Sequence, residues 1–207
     1  MTTLWERVAR ASNGDDYAHA YAARFRALAE SGADVHGEAT FVAGLVPAPA
    51  RVLDAGCGTG RIGAHLAGLG YDVVGCDVDA SMVAVAREEW PELDWRVADL
   101  ATLDGVDLGP AYDVVLLAGN VFPLLEPGTL AAAARGLAAH VADDGVVVAG
   151  FGLDTGHLPA GAPVVSLDEV DVALAAAGLV AADRWSSWDG APHDPSTGYV
   201  VGTWRRR

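Results

Sequence analysis

Residues 52–60 read Val52-Leu53-Asp54-Ala55-Gly56-Cys57-Gly58-Thr59-Gly60, an apolar run, a carboxylate and then glycine at every second position. Glycines in such a turn let the backbone reverse and approach a ligand without Cβ contacts, and a helix that follows offers unpaired N–H groups. A nucleotide-like ligand is expected against Asp54, Gly56, Cys57, Gly58, Thr59 and Gly60. Later apolar runs end in Asp77-Val78, in Asp99-Leu100 and in Gly119-Asn120. If these runs are parallel strands, all four sites share the rim where open α/β sheets bind ligands. There Asp77 would accept two ribose hydroxyls through paired hydrogen bonds, and Asp99 would accept from an adenine amino group.

Two cofactors compete for such a rim. Gly58-Thr59-Gly60-Arg61-Ile62-Gly63 has the G-x-G-x-x-G spacing of a dinucleotide site, and Asp77 follows at roughly the 20-residue distance of its ribose acid. That match would make the chain an NAD-dependent oxidoreductase. Asp54 argues against it, because a carboxylate at the mouth of the loop opposes a pyrophosphate. S-adenosylmethionine carries an ammonium and a sulfonium instead of phosphate, and both positive centres favour a nearby acid. Displacement from a sulfonium needs an acceptor held in line and water excluded, with no covalent nucleophile. A base is required only where the acceptor loses a proton, and His157 and His193 are the candidates. A non-catalytic module that binds the donor alone is the third reading.

The elements that position these residues follow from periodicity and punctuation. Helices are predicted over 17–30 and 35–46, the second stopped by Pro47 and Pro49. Strands over 51–55, 71–76, 93–97, 112–117 and 145–151 alternate with helices over 60–69, 80–90 and 127–141, as a parallel sheet covered on both faces requires. A helix over 167–177 and two strands over 179–188 and 199–205 follow, the strands joined closely enough to pair antiparallel. The stretch 152–163 reads as a long loop beside the site. One domain over 1–207 is expected, with N-terminal helices over 1–49 as a lid for donor or substrate, a donor-binding core over 50–151 and a C-terminal helix and strand pair over 152–207.

The charge restricts partners. Thirteen basic residues, all arginine, face 28 acidic ones for a net charge of −15. Such a surface repels phosphate backbones and anionic headgroups, so a small neutral or cationic acceptor is expected and neither nucleic acid nor a membrane. Cys57 and Cys76 lack zinc-type spacing, so no metal site is expected and reduced thiols suit a cytoplasmic location. Residues 1–17 show no signal or transit pattern, and no apolar stretch reaches the roughly 18 residues of a membrane span. Trp185, Trp188 and Trp204 are expected either to line a substrate pocket or, as is commoner for such aromatics, to pack against the sheet, and Arg205-Arg206-Arg207 to form a solvated tail. No pattern encodes the acceptor atom or the oligomeric state.

From 51 to 151 the chain resembles the class I S-adenosylmethionine-dependent methyltransferase family, whose donor loop V-L-D-x-G-C-G-T-G stands unaltered at 52–60. The resemblance implies a single-domain Rossmann-like α/β fold, a seven-stranded, mostly parallel sheet with an antiparallel last strand and helices on both faces. It implies that Asp54, Gly56, Gly58 and Gly60 cradle the methionine part, that Asp77 takes the ribose and Asp99 the adenine, and that Asn120 lies near the transferred methyl. The product would be S-adenosylhomocysteine. Family members often place an N-terminal tyrosine over the donor carboxylate, which leaves Tyr17 and Tyr21 as alternatives. Members that methylate bases or glutamine amides tend to carry N-P-P-Y after the fourth strand, where this chain has Asn120-Val121-Phe122-Pro123.

Overall fold

The computed structural model describes residues 2–206. Its centre is built from runs of β-branched and apolar residues buried on both faces: β1 (Arg51–Ala55), β4 (Tyr112–Leu117) and β5 (Val141–Gly152) bury Val52, Leu53, Val114, Val115, Val146 and Val147 completely. Adding β2 (Asp72–Asp77), β3 (Asp94–Val97), β6 (Leu179–Trp185) and β7 (Tyr199–Arg206) gives a seven-stranded sheet of order β3-β2-β1-β4-β5-β7-β6. All pairs are parallel except those of β7, which runs antiparallel to both β5 and β6.

Helices α3 (Gly37–Leu45) and α4 (Arg61–Gly68) bury Ala39, Val42, Ile62 and Leu66 on one face of the sheet. On the other, α6 (Leu130–His140) and α7 (Leu167–Ala176) bury Ala133, Leu137, Val170 and Leu174. At one side α1 (Leu4–Asn13) and α2 (Tyr17–Glu30) pack Ala9, Tyr17 and Ala22 against Met82 and Val85 of α5 (Ala80–Glu89). Strand order reverses at β1, which has β2 on one side and β4 on the other, so a crevice opens at its C-terminal end.

Several expectations are corrected. Helix α1 was absent from the sequence reading, although Thr3 and Glu6 form a capping box at its start. The helix predicted from 127 begins at Leu130, because Gly128 has φ +85° and breaks it. The strand predicted over 179–188 ends at Trp185, and Trp188 instead lays its ring over Gly150, where a Cβ would come within 2.4 Å of it. Arg205 and Arg206 belong to β7 rather than to a tail, Arg206 donating to the carbonyls of Ala138 and Val141; Arg207 lies outside the described residues. Trp204 is fully buried in the core with its Nε1 on Asp171, and Trp185 and Trp188 pack edge-on to Phe41.

Candidate functional site

The turn after β1 is fixed from below and from the side. The amides of Gly56 and Cys57 both donate to the Cys76 carbonyl at the end of β2, at 2.7 and 3.0 Å. Gly56, Gly58 and Gly60 have φ of +85°, +54° and +81°, the left-handed region that glycine enters without penalty. At Gly56 a side chain would also strike Val121, 2.7 Å from the Cβ position. Gly60 and Gly63 serve a different end. Both make room for the Trp95 indole, whose ring atoms would lie 2.9 and 3.0 Å from their Cβ positions. Two of the three glycines of the apparent dinucleotide spacing therefore meet a packing requirement.

Asp54 lines the cavity above the turn, is 1 % exposed, and accepts from the Gly63 amide at 3.0 Å. That amide is one of the orphan donors at the start of α4, so the carboxylate occupies the place a pyrophosphate would take at a helix N-terminus. Asp77, also buried, accepts from the Gly58 amide and from the Asp79 amide, each at 2.9 Å, and so braces the glycine turn. Asp79, not Asp77, caps α5, accepting from Ser81 N at 2.9 Å. Asp99 caps the short 3-10 turn Leu100–Gly105 through Ala101 N.

Burial pushes the Asp54 carboxyl up to about 7 and the Asp77 carboxyl to about 6, against the downward pull of their amide donors. Both folded values exceed the unfolded one, so the folded state holds more protons between pH 4 and 7. These two groups therefore lower stability as pH rises through that window, and the penalty is complete above it. A cationic ligand stabilises the ionised forms and displaces the protons. Binding of S-adenosylmethionine is accordingly expected to weaken about 20-fold from pH 8 to pH 6 and to release about one proton near pH 6.5. Calorimetry in two buffers of different ionisation enthalpy checks this, and pH-independent binding without proton release contradicts it.

Of the residues singled out in the sequence, the structure brings Tyr21, Asp54, Gly56, Cys57, Gly58, Thr59, Asp77, Val78, Asp99, Leu100 and Gly119 to the wall of one cavity. It leaves Tyr17, Gly60, Asn120, His157 and His193 out of that wall. The Tyr17 hydroxyl donates to Asp79 Oδ2 at 2.5 Å, so the aromatic that α2 presents to the cavity is Tyr21. Asn120, at φ +68°, spends its side chain on the end of β5 and the loop after it, accepting from Gly152 N at 2.7 Å and donating to the His157 carbonyl at 3.1 Å. His157 Nδ1 sits 2.9 Å from Asp154 Oδ1, and His193 lies between β6 and β7 with its Nδ1 buried and unpartnered.

The wall also contains residues that the sequence reading missed: Thr3 and Trp5 of the N-terminal segment, Arg61, Met82, Val121, Leu124, Leu125 and Glu126. The capping-box pattern Thr3-x-x-Glu6 was the one signal that could have announced the first two. Among the described residues Arg61 is the one cation in the wall, and its guanidinium is engaged by Glu38 at 3.1 Å, by the Val35 carbonyl and by the Phe25 ring. Two buried acids without a cationic partner, in a wall whose sole guanidinium is already paired, suit a ligand that brings positive charge and no phosphate.

A glycine turn at the reversal point of such a sheet, backed by buried acids, defines a class I S-adenosylmethionine-dependent methyltransferase, and the chain belongs to that family. The methyltransferase-domain family model matches residues 52–145. A TehB-like SAM-dependent methyltransferase from Corynebacterium glutamicum superposes with a TM-score of 0.80 at 32 % identity, covering 92 % of this chain and 98 % of that one. A dTDP-3-amino-3,6-dideoxy-alpha-D-glucopyranose N,N-dimethyltransferase from Streptomyces fradiae is 36 % identical over 122 residues, 56 % of this chain and 47 % of that protein. A ubiquinone biosynthesis O-methyltransferase from a Chelativorans species is 32 % identical over 158 residues, 65 % of this chain and 60 % of that protein. The chain thus spans about half the length of these curated relatives. Among the described residues no helix is long and apolar enough to cross a membrane.

Proposed function

We propose that this protein transfers the methyl group of S-adenosylmethionine to a small-molecule acceptor. The observation that carries the reading is the pair Asp54 and Asp77, both buried at the glycine turn and both held by backbone amides alone among the partners described. Asp54 would lie beside the ammonium and sulfonium, Asp77 would accept the ribose hydroxyls, and Asp99 would face the adenine. The donor supplies a methyl group on a positive sulfur. The chain's part is to fix that methyl in line with the acceptor and to keep water out. The matched relatives act on an amino sugar and in ubiquinone biosynthesis, both small-molecule tasks. The net charge of −15 favours neutral or cationic acceptors over nucleic acid. Two buried, unpaired thiols, Cys57 and Cys76, favour a cytoplasmic setting.

Helices within 1–49 would cover the donor, with Tyr21 over its methionine end. Where the acceptor must lose a proton, His157 is the better candidate of the two histidines, since Asp154 pairs with Nδ1 and leaves Nε2 as the proton acceptor. A screen of cell extract with methyl-labelled donor tests the reading. Label is expected in a metabolite of low mass. Donor binding without any labelled product would make the protein a binding module, and binding of NAD in place of the donor would reject both.

A further inference from the structure

Outside the residues assigned to the donor, the joint between α3 and α4 brings two titratable rings together. His36 is the N-cap residue of α3, His65 lies on α4 one turn beyond Arg61, and their imidazoles stack with centroids 3.9 Å apart and planes within 10° of each other. The His36 Nδ1 is buried and has no hydrogen-bond partner among the described residues. On a charged ring that nitrogen would be an orphan donor. Burial, the His65 ring and the Arg61 guanidinium oppose the charge and hold the His36 imidazole below the ordinary histidine range. The positive end of α3 opposes it as well. Two carboxylates pull the other way, Asp34 and Glu38, and both are engaged. Asp34 accepts from the His36 amide at 2.8 Å, and Glu38 accepts from Arg61 at 3.1 and 3.3 Å.

Arg61 is where this joint meets the donor cavity. It lines the cavity wall, while Glu38 and the Val35 carbonyl, which flank His36 in the chain, accept from its guanidinium. The Arg61 and Glu38 side chains are 17 % and 16 % exposed, so water and salt screen the pair little. We propose that His36 is an acid sensor for the donor site: a proton on its ring competes with Arg61 for Glu38 and loosens the segment 34–38 from α4. Its effect on the donor rests on the reading above. The fold accommodates the neutral ring, so His36 contributes stability that is fully present above about pH 6.5 and is lost as pH falls through its lower folded value. Asp54 and Asp77 change stability in the opposite direction as pH falls, so replacing His36 alone separates the two trends. An Arg61 released from Glu38 adds positive charge to a wall that must receive a ligand ammonium, and donor affinity falls with acid beyond what the two aspartates cause.

The test compares the wild type with His36→Phe, which keeps a ring against His65 and puts carbon where Nδ1 has no partner. From about pH 7.5 to about pH 5.5 the wild type is expected to lose about 2–4 °C more of its thermal midpoint than the variant. Over the same range its Kd for S-adenosylhomocysteine is expected to rise about fivefold more than the variant's, the lower end of couplings between sites. In NMR titrations of the wild type, the His36 ring, the amides of residues 34–38 and the Arg61 Nε–H are expected to shift with one shared midpoint below about pH 6.5. His36→Gln repeats the comparison should His36→Phe fold poorly. Equal acid sensitivity in wild type and variant, or amides that do not follow the ring, would overturn the sensor while leaving the donor reading intact. A difference in stability with none in S-adenosylhomocysteine affinity would also overturn it, since the joint would then be structural alone. Failure of the wild type to bind S-adenosylhomocysteine at any pH would overturn both readings.

Discussion

Asp77→Ala is expected to weaken binding of S-adenosylhomocysteine about 5- to 150-fold, roughly 1–3 kcal/mol, the scale for a lost charged hydrogen-bond partner. The effect has two parts. The ribose loses its acceptor, and the Gly58 amide, now 2.9 Å from nothing, no longer braces the turn that must fit the ligand. Stability changes less, because two opposing effects meet. Removing a buried carboxyl whose pKa is raised to about 6 relieves a desolvation penalty, while the Gly58 and Asp79 amides lose their acceptor. The thermal midpoint is expected to stay within a few degrees of the wild type. Asp54→Ala is expected to act on binding on the same scale, through the Gly63 amide and the lost negative charge. Calorimetry with S-adenosylhomocysteine measures both, and wild-type affinity in the two variants would reject the assignment.

Gly75→Ala is expected to produce the largest loss of stability, about 3 kcal/mol, and to lower the thermal midpoint by about 6–12 °C for a chain of this size. Gly75 lies on β2 beneath the site, and a Cβ there would come within 2.3 Å of two ring atoms of Trp95 and 3.1 Å of the Cys57 Cβ. Trp95 has no room to yield. It is 2 % exposed, its Nε1 donates to the Trp90 carbonyl at 2.9 Å, and the backbone at Gly60 and Gly63 runs so near the ring that a Cβ at either would lie 2.9 or 3.0 Å from it. The substitution is therefore felt at the ligand turn as well as in the core. Trp95→Leu in the Gly75→Ala background is expected to recover part of the loss, because the two sites compete for one space. Thermal unfolding of the single and double variants checks this, and strict additivity would show that the indole is not the obstacle.

The sheet and its rim were legible because they follow from local rules. Runs such as 51–55 and 112–117 are apolar throughout, a signature of strands buried on both faces, and the acids at 54, 77 and 99 fall at or just beyond strand ends. The donor loop carries its chemistry in contiguous residues. By contrast the place of α1 depends on partners more than 70 residues away, such as Asp79 and Glu126, although its apolar Leu4, Trp5, Val8 and Ala9 recur at helical spacing among Glu6, Arg7 and Arg10. Asn120 was expected near the transferred methyl, yet its side chain bridges to Gly152 and His157; no spacing rule encodes that choice.

The sequence by itself determined an alternating α/β chain, a glycine turn after the first strand and acids at the ends of the next two, because periodicity, turn chemistry and charge are properties of neighbours. Only the tertiary structure decided that Asp54 occupies the start of α4, that Gly60, Gly63 and Gly75 yield to one buried indole, that Tyr21 and not Tyr17 reaches the cavity, and that the start of α1 bonds to Asp79 and Glu126. These depend on which distant surfaces meet, and packing complementarity between distant segments has no signature in the spacing of residues along one chain.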